Sequence, residues 1–450
     1  MGVEFRNHNK NEEQLKIQKS KKKIEKLIIT LSLFLVGTSA FVQAQEKPLD
    51  VKYRRSSLHT MVVESEKFPQ KDVVLKAFNN APFPEKYNNH QIAQKSFNPA
   101  NYTLTAEEKA KFNSTSKTAK INLDEPESVD KELPARIQKY FEKEKIAHKL
   151  VAKWFNRKAD GSFDSNLVSE RGVFNASFLD QKTAQASSEG DALLKTAGFE
   201  LIDNTFVVVN KFNFVENEPV ARVIRDAAKI AASKLPMGQE VAMRLADKAY
   251  DKAKEGYSIW ATSYLYKLVW NETVSNTFYA DLYMDKTNLD PAKKKAFDNS
   301  DLFKLEFVGD ESASALVTFS LKENRTEEQI IALSTVRITD NVYAKLQKKY
   351  DVFKTKTPLF TGNPITAKIG TKEGLEGGEK FDVLEQTINE KTGIATYKSI
   401  GTIKVEKDLI WDNAYNGTEK ENTEATPAID RTTFSGGKKY YPGLLIRQIK

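Results

Sequence analysis

Asp191-Ala192-Leu193-Leu194-Lys195-Thr196-Ala197-Gly198, followed shortly by Thr205-Phe206-Val207-Val208-Val209, is the stretch whose reading decides the fold. Its first part is a short helical pattern that stops at a glycine, the residue suited to the left-handed position just past a helix end. Its second part is a β-branched run with no polar interruption, which fits a buried strand. Helix, glycine stop and buried strand in that order predict a layered domain of mixed helix and sheet, read here as α+β.

Upstream of that stretch, Ile137, Tyr140, Phe141, Ile146, Leu150, Val151, Trp154 and Phe155 recur at three- and four-residue intervals. The spacing predicts one long amphipathic helix over 134–155, ended by the turn signal Asp160-Gly161, and a second helix over 167–186. Residues 101–131 are polar and read as a linker or surface loop holding a short helix over 104–112 with Thr105 as its cap. Before them come an alternating run at 57–64 and a helical pattern at 71–79, closed by Pro82 and Pro84.

Downstream, Pro219 opens an alanine-rich helix that Pro236 breaks, and a further helix over 239–255 makes the pair an αα-hairpin. The period then changes to two over 258–270, a strand with Trp260, Thr262, Tyr264, Tyr266, Leu268 and Trp270 on one face. Residues 277–284 read as its hairpin partner, and 302–308 with 313–321 as another hairpin turning at Gly309-Asp310. Helical patterns return at 327–333 and 341–350. After Pro358 the chain is short strands (365–369, 381–386, 395–400, 402–405 and 444–449) separated by glycines, which predicts a small all-β, barrel-like module. The organisation expected is therefore an N-terminal segment and linker over 45–131, an α+β domain over 132–357 and the β module over 358–450.

Residues 1–44 read as a secretory signal peptide: Lys19, Lys21, Lys22, Lys23 and Lys26 precede an apolar run from Leu27 to Val36, then small residues. Cleavage is expected between Ala44 and Gln45. The leader holds eight of the 69 basic and four of the 61 acidic side chains, so about half of the formal charge of +8 leaves with it. The remaining charges are interspersed, with no basic stripe among aromatics, so nucleic acid is not an expected partner. The absence of cysteine excludes disulfides, thiol nucleophiles, thiolate metal sites and a lipidated N-terminal cysteine.

No catalytic, metal or cofactor motif survives inspection. Around Asp160-Gly161 a calcium loop lacks ligands at Lys158 and Leu167. The glycine-rich runs at 374–380 and 435–438 lack phosphate-loop spacing. Ser114-Thr115-Ser116-Lys117 has the S-x-x-K shape but sits in the polar linker. His59, His90 and His148 show no ligand spacing, and His148 reads as the flank of a packed helix face. The aromatic face from Trp260 to Trp270 could stack on sugars, against the simpler reading as core. A ligand or partner surface is expected instead from Arg54, Arg55, His59, Asn89 and His90, since guanidinium forks suit carboxylate or phosphate and the imidazoles and amide add polar contacts.

The stretches from Tyr53 to His59 and from Phe83 to His90 resemble a group of exported proteins of Bacteroidota-type bacteria. That resemblance implies a diderm cell envelope and no particular activity. The stretches 381–385 and 401–405 are similar to small β-barrel modules that close some envelope assembly proteins. The functional expectation is a non-enzymatic envelope protein, periplasmic or peripherally associated with the outer membrane, binding protein or glycan without a cofactor. The alternative is an envelope-polymer hydrolase using Asp or Glu carboxylates.

Overall fold

The computed structural model describes residues 55–116, 129–175, 200–317, 326–388, 395–414, 429–437 and 439–449. The leader with its Ala44/Gln45 junction, Arg54, Lys117, the expected helix over 191–197 and the latter part of the one expected over 167–186 lie outside them.

The central strand is β1 (Ser56–Val63), whose eight residues are all buried. It pairs in parallel with β2 (Tyr87–Asn89) and β3 (Ser96–Phe97) on one side and with β4 (Thr205–Glu216) on the other. β4, β5 (Tyr257–Leu268) and β6 (Leu305–Val317) continue antiparallel, giving the order β2-β1-β4-β5-β6. Both faces of this mixed sheet are covered. Phe206, Val208 and Leu265 pack with helices α1 (Lys71–Asn80) and α10 (Glu327–Lys349). Val207, Val209, Tyr264 and Tyr266 pack with α3 (Val129–Lys143) and α4 (Ile146–Trp154). Adjacent valines of the β-branched run thus feed opposite cores, which is why the run has no polar alternation. At the C-terminal end, β7 (Thr357–Gly362), β8 (Ile365–Ala367), β9 (Lys380–Ile388), β10 (Ala395–Val405), β11 (Thr432–Ser435) and β12 (Leu445–Gln448) close a six-stranded barrel around Leu359, Val383, Ile403, Phe434 and Ile446. The fold is α+β with a small all-β module, as the sequence predicts.

Five expected elements are corrected. The helix over 134–155 is two helices: Lys145 turns left-handed at φ 51° between α3 and α4. α3 also starts before Pro134, whose missing N–H leaves one helical carbonyl without its usual donor. Most of the stretch 277–284 is helical, in α8 (Glu272–Thr277) and a π-turn (Phe278–Leu282), because that winding buries Phe278 and Leu282 in the aromatic core. Gly309-Asp310 is no turn but a bulge within the single strand β6. A Cβ on Gly309 would lie 2.2 Å from the Tyr350 hydroxyl, which donates to the Asp310 carbonyl at 2.9 Å. The helical patterns at 327–333 and 341–350 are one helix, α10. The intervening Ser334, Thr335 and Thr339 look like a break, but each hydroxyl donates to the carbonyl four residues back, at 2.6–2.7 Å. Finally, β10 is one strand with an irregularity near Gly401 rather than two.

The expected short helix in the linker is α2 (Ala106–Thr115), with a complete capping box between Thr105 and Glu108. It buries no side chain of its own and is held to α3 by charge. Lys109 reaches Glu132 at 2.5 Å, and Lys139 reaches Glu108 at 2.7 Å. Glu132 and Arg136 are both buried, 2.8 Å apart, and Arg136 also donates to the Pro99 carbonyl at 3.3 Å. Burial alone would raise the Glu132 carboxyl, but hydrogen bonds from Lys109 and Arg136 outweigh it and hold the group below its ordinary range. Removing one partner strands a buried charge. Glu132→Ala should therefore cost about 3–5 kcal/mol in urea denaturation, whereas Glu132→Leu with Arg136→Met should cost far less; equal losses would refute the assignment.

Candidate functional site

The two segments expected to form a site do meet, because β2 lies beside β1 with Leu58 opposite Asn89. Their imidazoles, however, are core groups. His59 is fully buried, with Nδ1 2.7 Å from the Gln91 amide, and burial drives its pKa down to about 4. His90 stacks on Trp154 at 4.8 Å. Arg171 can only donate, so its 2.7 Å contact makes His90 Nδ1 an acceptor and puts the proton on Nε2, which donates to the Leu150 carbonyl at 2.9 Å. Burial and then Arg171 hold His90 well below its ordinary range. Arg55 is half-buried, pairs with Glu200 at 3.0 Å and lies 5.5 Å over the Tyr397 ring of the barrel. Lys356 lies 4.1 Å over the same ring, and burial, reinforced by Arg55, lowers its pKa to about 7. An accessible surface shared by these groups is thus corrected for the four described: both histidines are inward and neutral, Arg55 bolts sheet to barrel, and Asn89 lines a cavity.

A concavity is lined by residues just before Asn89 in the chain. A cleft of about 230 Å³ opens between the sheet layer and the barrel. One lip is Pro84-Glu85-Lys86-Tyr87, inside the stretch from Phe83 to His90. The floor is α10, with Asp340, Tyr343 and Gln347, and the far wall is Lys372, Glu373, Trp411, Asp412 and Asn413. A smaller cavity of about 120 Å³, lined by Thr60, Asn89, Gln91 and Lys95, shares Pro84, Asp340 and Tyr343 with it.

The far wall is built by backbone approach. The Thr371 amide donates to the Trp411 carbonyl at 3.0 Å, and the Trp411 amide donates to Thr432 Oγ1 at 3.0 Å. A Cβ on Gly370 would stand 2.0 Å from the Trp411 carbonyl oxygen, so a glycine is needed there for closeness rather than for its dihedrals. Glu373 accepts from the Gly370 amide at 2.7 Å and from Asn413 Nδ2 at 2.9 Å. Asp412 accepts from Thr371 Oγ1 at 2.7 Å. These two carboxylates are parts of the wall.

Asp340 differs. It projects from mid-helix into the cleft, with Lys372 as its ion-pair partner at 3.8 Å. Burial raises its pKa to about 6, against the pull of Lys372 and helped by the negative charge of Glu373. Lys86, on the lip, is held below its ordinary range by burial, and donates to the Lys368 carbonyl. The cleft therefore offers an indole, two amides, two cations and a carboxyl that titrates near neutrality. Sequence reading missed it because its residues come from four separate stretches; Pro82 and Pro84 marked only a break.

The remaining motifs take their plain readings. Asp160 accepts from the Ser162 amide at 2.8 Å in a turn completed by Gly161 at φ 93°. Ser114 donates to the Lys111 carbonyl. His148 packs edge-on against Phe297 and Phe303. Tyr264, Tyr266 and Trp270 are core, while Trp260 is 45 % exposed. Among the described residues no group of three or more His, Asp or Glu could hold a metal, and no helix is long and apolar enough to cross a membrane. Neither a family model nor a curated protein matches the chain.

Because the Asp340 carboxyl titrates near 6 in the fold and near 3.8 when unfolded, the folded state binds the extra proton between those values. Its contribution to stability is full below about 3.8 and is lost as pH rises through 6. Asp340→Asn should thus be more stable than the parent above pH 6, by about 3 kcal/mol, and equal to it near pH 3.8. His59 acts oppositely, destabilising as pH falls from 6.5 toward 4, so variant and parent must be compared at each pH, where its contribution cancels. Denaturant midpoints from pH 4 to 8 measure the difference; a pH-independent difference would refute it.

Proposed function

We propose that this chain is a non-enzymatic protein of a diderm cell envelope, periplasmic or peripherally bound to the outer membrane, that holds a segment of envelope glycan in the cleft between sheet and barrel. The observation that carries the reading is Trp411 lining a polar cleft beside Asn413, Asp340 and Lys372. An aromatic face supplies apolar contact to the C–H face of a sugar ring, while planar amide and carboxyl groups accept and donate to its hydroxyls. The engaged states of Glu373 and Asp412 favour binding over hydrolysis, since a glycosidase needs two carboxyl groups free to act on one bond.

The hydrolase alternative has one specific support, the near-neutral Asp340 carboxyl, a protonation state suited to a general acid. One titration separates the readings. Soluble envelope polysaccharide fragments added to the purified protein should change its tryptophan emission saturably. Trp411→Ala should weaken binding about tenfold or more, the loss of one stacked ring with its hydrogen-bonding frame. New reducing ends that appear with time and vanish in Asp340→Asn would replace binding by hydrolysis. No saturable change with any fragment would sink the glycan reading, and an envelope protein captured through the same cleft residues would supplant it.

A further inference from the structure

The αα-hairpin of α6 (Asn217–Ser233) and α7 (Gln239–Ala253) leaves the ends of β4 and β5 and carries its apolar side outward. Eight of the fifteen exposed large apolar residues of the described chain lie on it, and Met237 at its tip is 86 % exposed. Its root is firm: Asn217 donates from its amide nitrogen to the Glu255 carbonyl at 3.2 Å and accepts from Ser258 Oγ at 2.7 Å.

The two helices meet through small and polar groups rather than through their large apolar ones. Ala221, Ala232 and Ala246 are buried between them, Lys229 pairs with Asp247 at 2.5 Å, and Arg225 lies 4.3 Å over the Tyr250 ring. At 3.6 residues per turn, Val220, Val223, Ile224 and Ala227 form one stripe on α6, and Val241 and Leu245 one on α7. Each stripe lies about a third of a turn from its helix's contact side. The offsets run in the same sense, so antiparallel packing brings both stripes to one side of the hairpin.

The charges around that side have one sign. Lys248 follows Val241 and Leu245 along the stripe of α7, and Lys234 stands where the stripe of α6 meets the tip. Asp226, Glu240 and Asp251 fall away from it by the same helical spacing. Glu218 is held by Arg222 at 2.8 Å and by Tyr250 at 2.7 Å. A second copy laid face to face would bring lysines toward lysines and offer them no acid. We propose that the occupant is an anionic phospholipid bilayer, on which the hairpin lies flat with its stripes at the acyl boundary and its lysines among the phosphates. The mixed charges of the opposite side keep it at the surface rather than across the membrane. The inference is independent of the cleft and its ligand.

The chain has no cysteine, so a single introduced thiol carries a unique label. The full-length protein with Ile224→Cys or Met237→Cys, bearing an environment-sensitive fluorophore, should shift its emission to the blue on adding phosphatidylglycerol vesicles. Pure phosphatidylcholine vesicles should not produce the shift, and a label at Asp226→Cys, on the polar side, should stay unshifted. Because the reporter sits on the hairpin, attachment through any other segment does not mimic the signal. Lys234→Ala and Lys248→Ala should each raise the lipid needed for half-maximal shift, about fivefold per lysine. An equal shift at Asp226→Cys, no shift at either apolar site, or lipid dependence unchanged by both lysine substitutions overturns the proposal. So does a shift that appears without lipid as protein concentration rises, with a doubled sedimentation mass, which would assign the face to a second copy.

Discussion

The constraint on which the rest depends is that β1 has no solvent face. A strand buried along its whole length must have neighbours on both edges and a helical layer on each side, and its polar residues must find partners inside. Ser57, His59 at Nδ1 and Thr60 meet this through Arg171 and Gln91. Those bonds pin the segment 88–91 against β1, so the preceding Pro84-Glu85-Lys86-Tyr87 is placed as the lip of the cleft. The site is thus positioned by the need to satisfy buried polar groups, and the imidazoles mistaken for its ligands are among the groups that need satisfying.

One tyrosine carries the same constraint to the barrel. Tyr87 stacks on Phe353 with centroids 5.0 Å apart, donates to the Phe353 carbonyl at 3.1 Å and accepts from Gln347 Nε2 at 3.0 Å. Phe353 in turn lies in the sheet core against Phe206. Lys348 at the end of α10 donates to the Gly374 carbonyl at 2.7 Å, and Lys86 to the Lys368 carbonyl. Lip, floor and far wall are therefore tied to one another by hydrogen bonds among their own lining residues and through Lys348, so the walls of the cleft stand in place without a ligand and less ordering would be charged against binding.

Sequence periodicity made most elements legible wherever local pattern and final burial agreed. β1, the Thr205 to Val209 run, the αα-hairpin and the β module are of this kind. It failed where tertiary contact overrode local pattern: at Phe278, pulled into a helical turn by the aromatic core; at Gly309, spaced for Tyr350; and at Ser334, Thr335 and Thr339, whose hydroxyls return to their own helix. The site was less legible than the fold. Residue chemistry correctly drew the segments around His59 and Asn89 together, but nothing in one dimension distinguishes a satisfied buried histidine from an accessible one. The cleft needs residues from near 85, 340, 372 and 411 at once, and no spacing announces that convergence.

Two places depart from the economy seen on β1, where Ser57 and Thr60 find polar partners and every apolar side chain a core. Asp340 is held mid-helix with its cation at 3.8 Å, beyond hydrogen-bonding reach, and an asparagine there would avoid a charge that burial opposes. The hairpin keeps valine, isoleucine and leucine outward on a root that is hydrogen-bonded at both strands, although inward rotation of the stripes would bury them in a simple helical pair. Folding alone gives neither arrangement a reason, since each leaves stability unrealised. They also differ in kind: the first is a single charge in a small polar concavity, matched to a compact polar ligand, and the second is a broad apolar face with a cationic rim, matched to an extended surface.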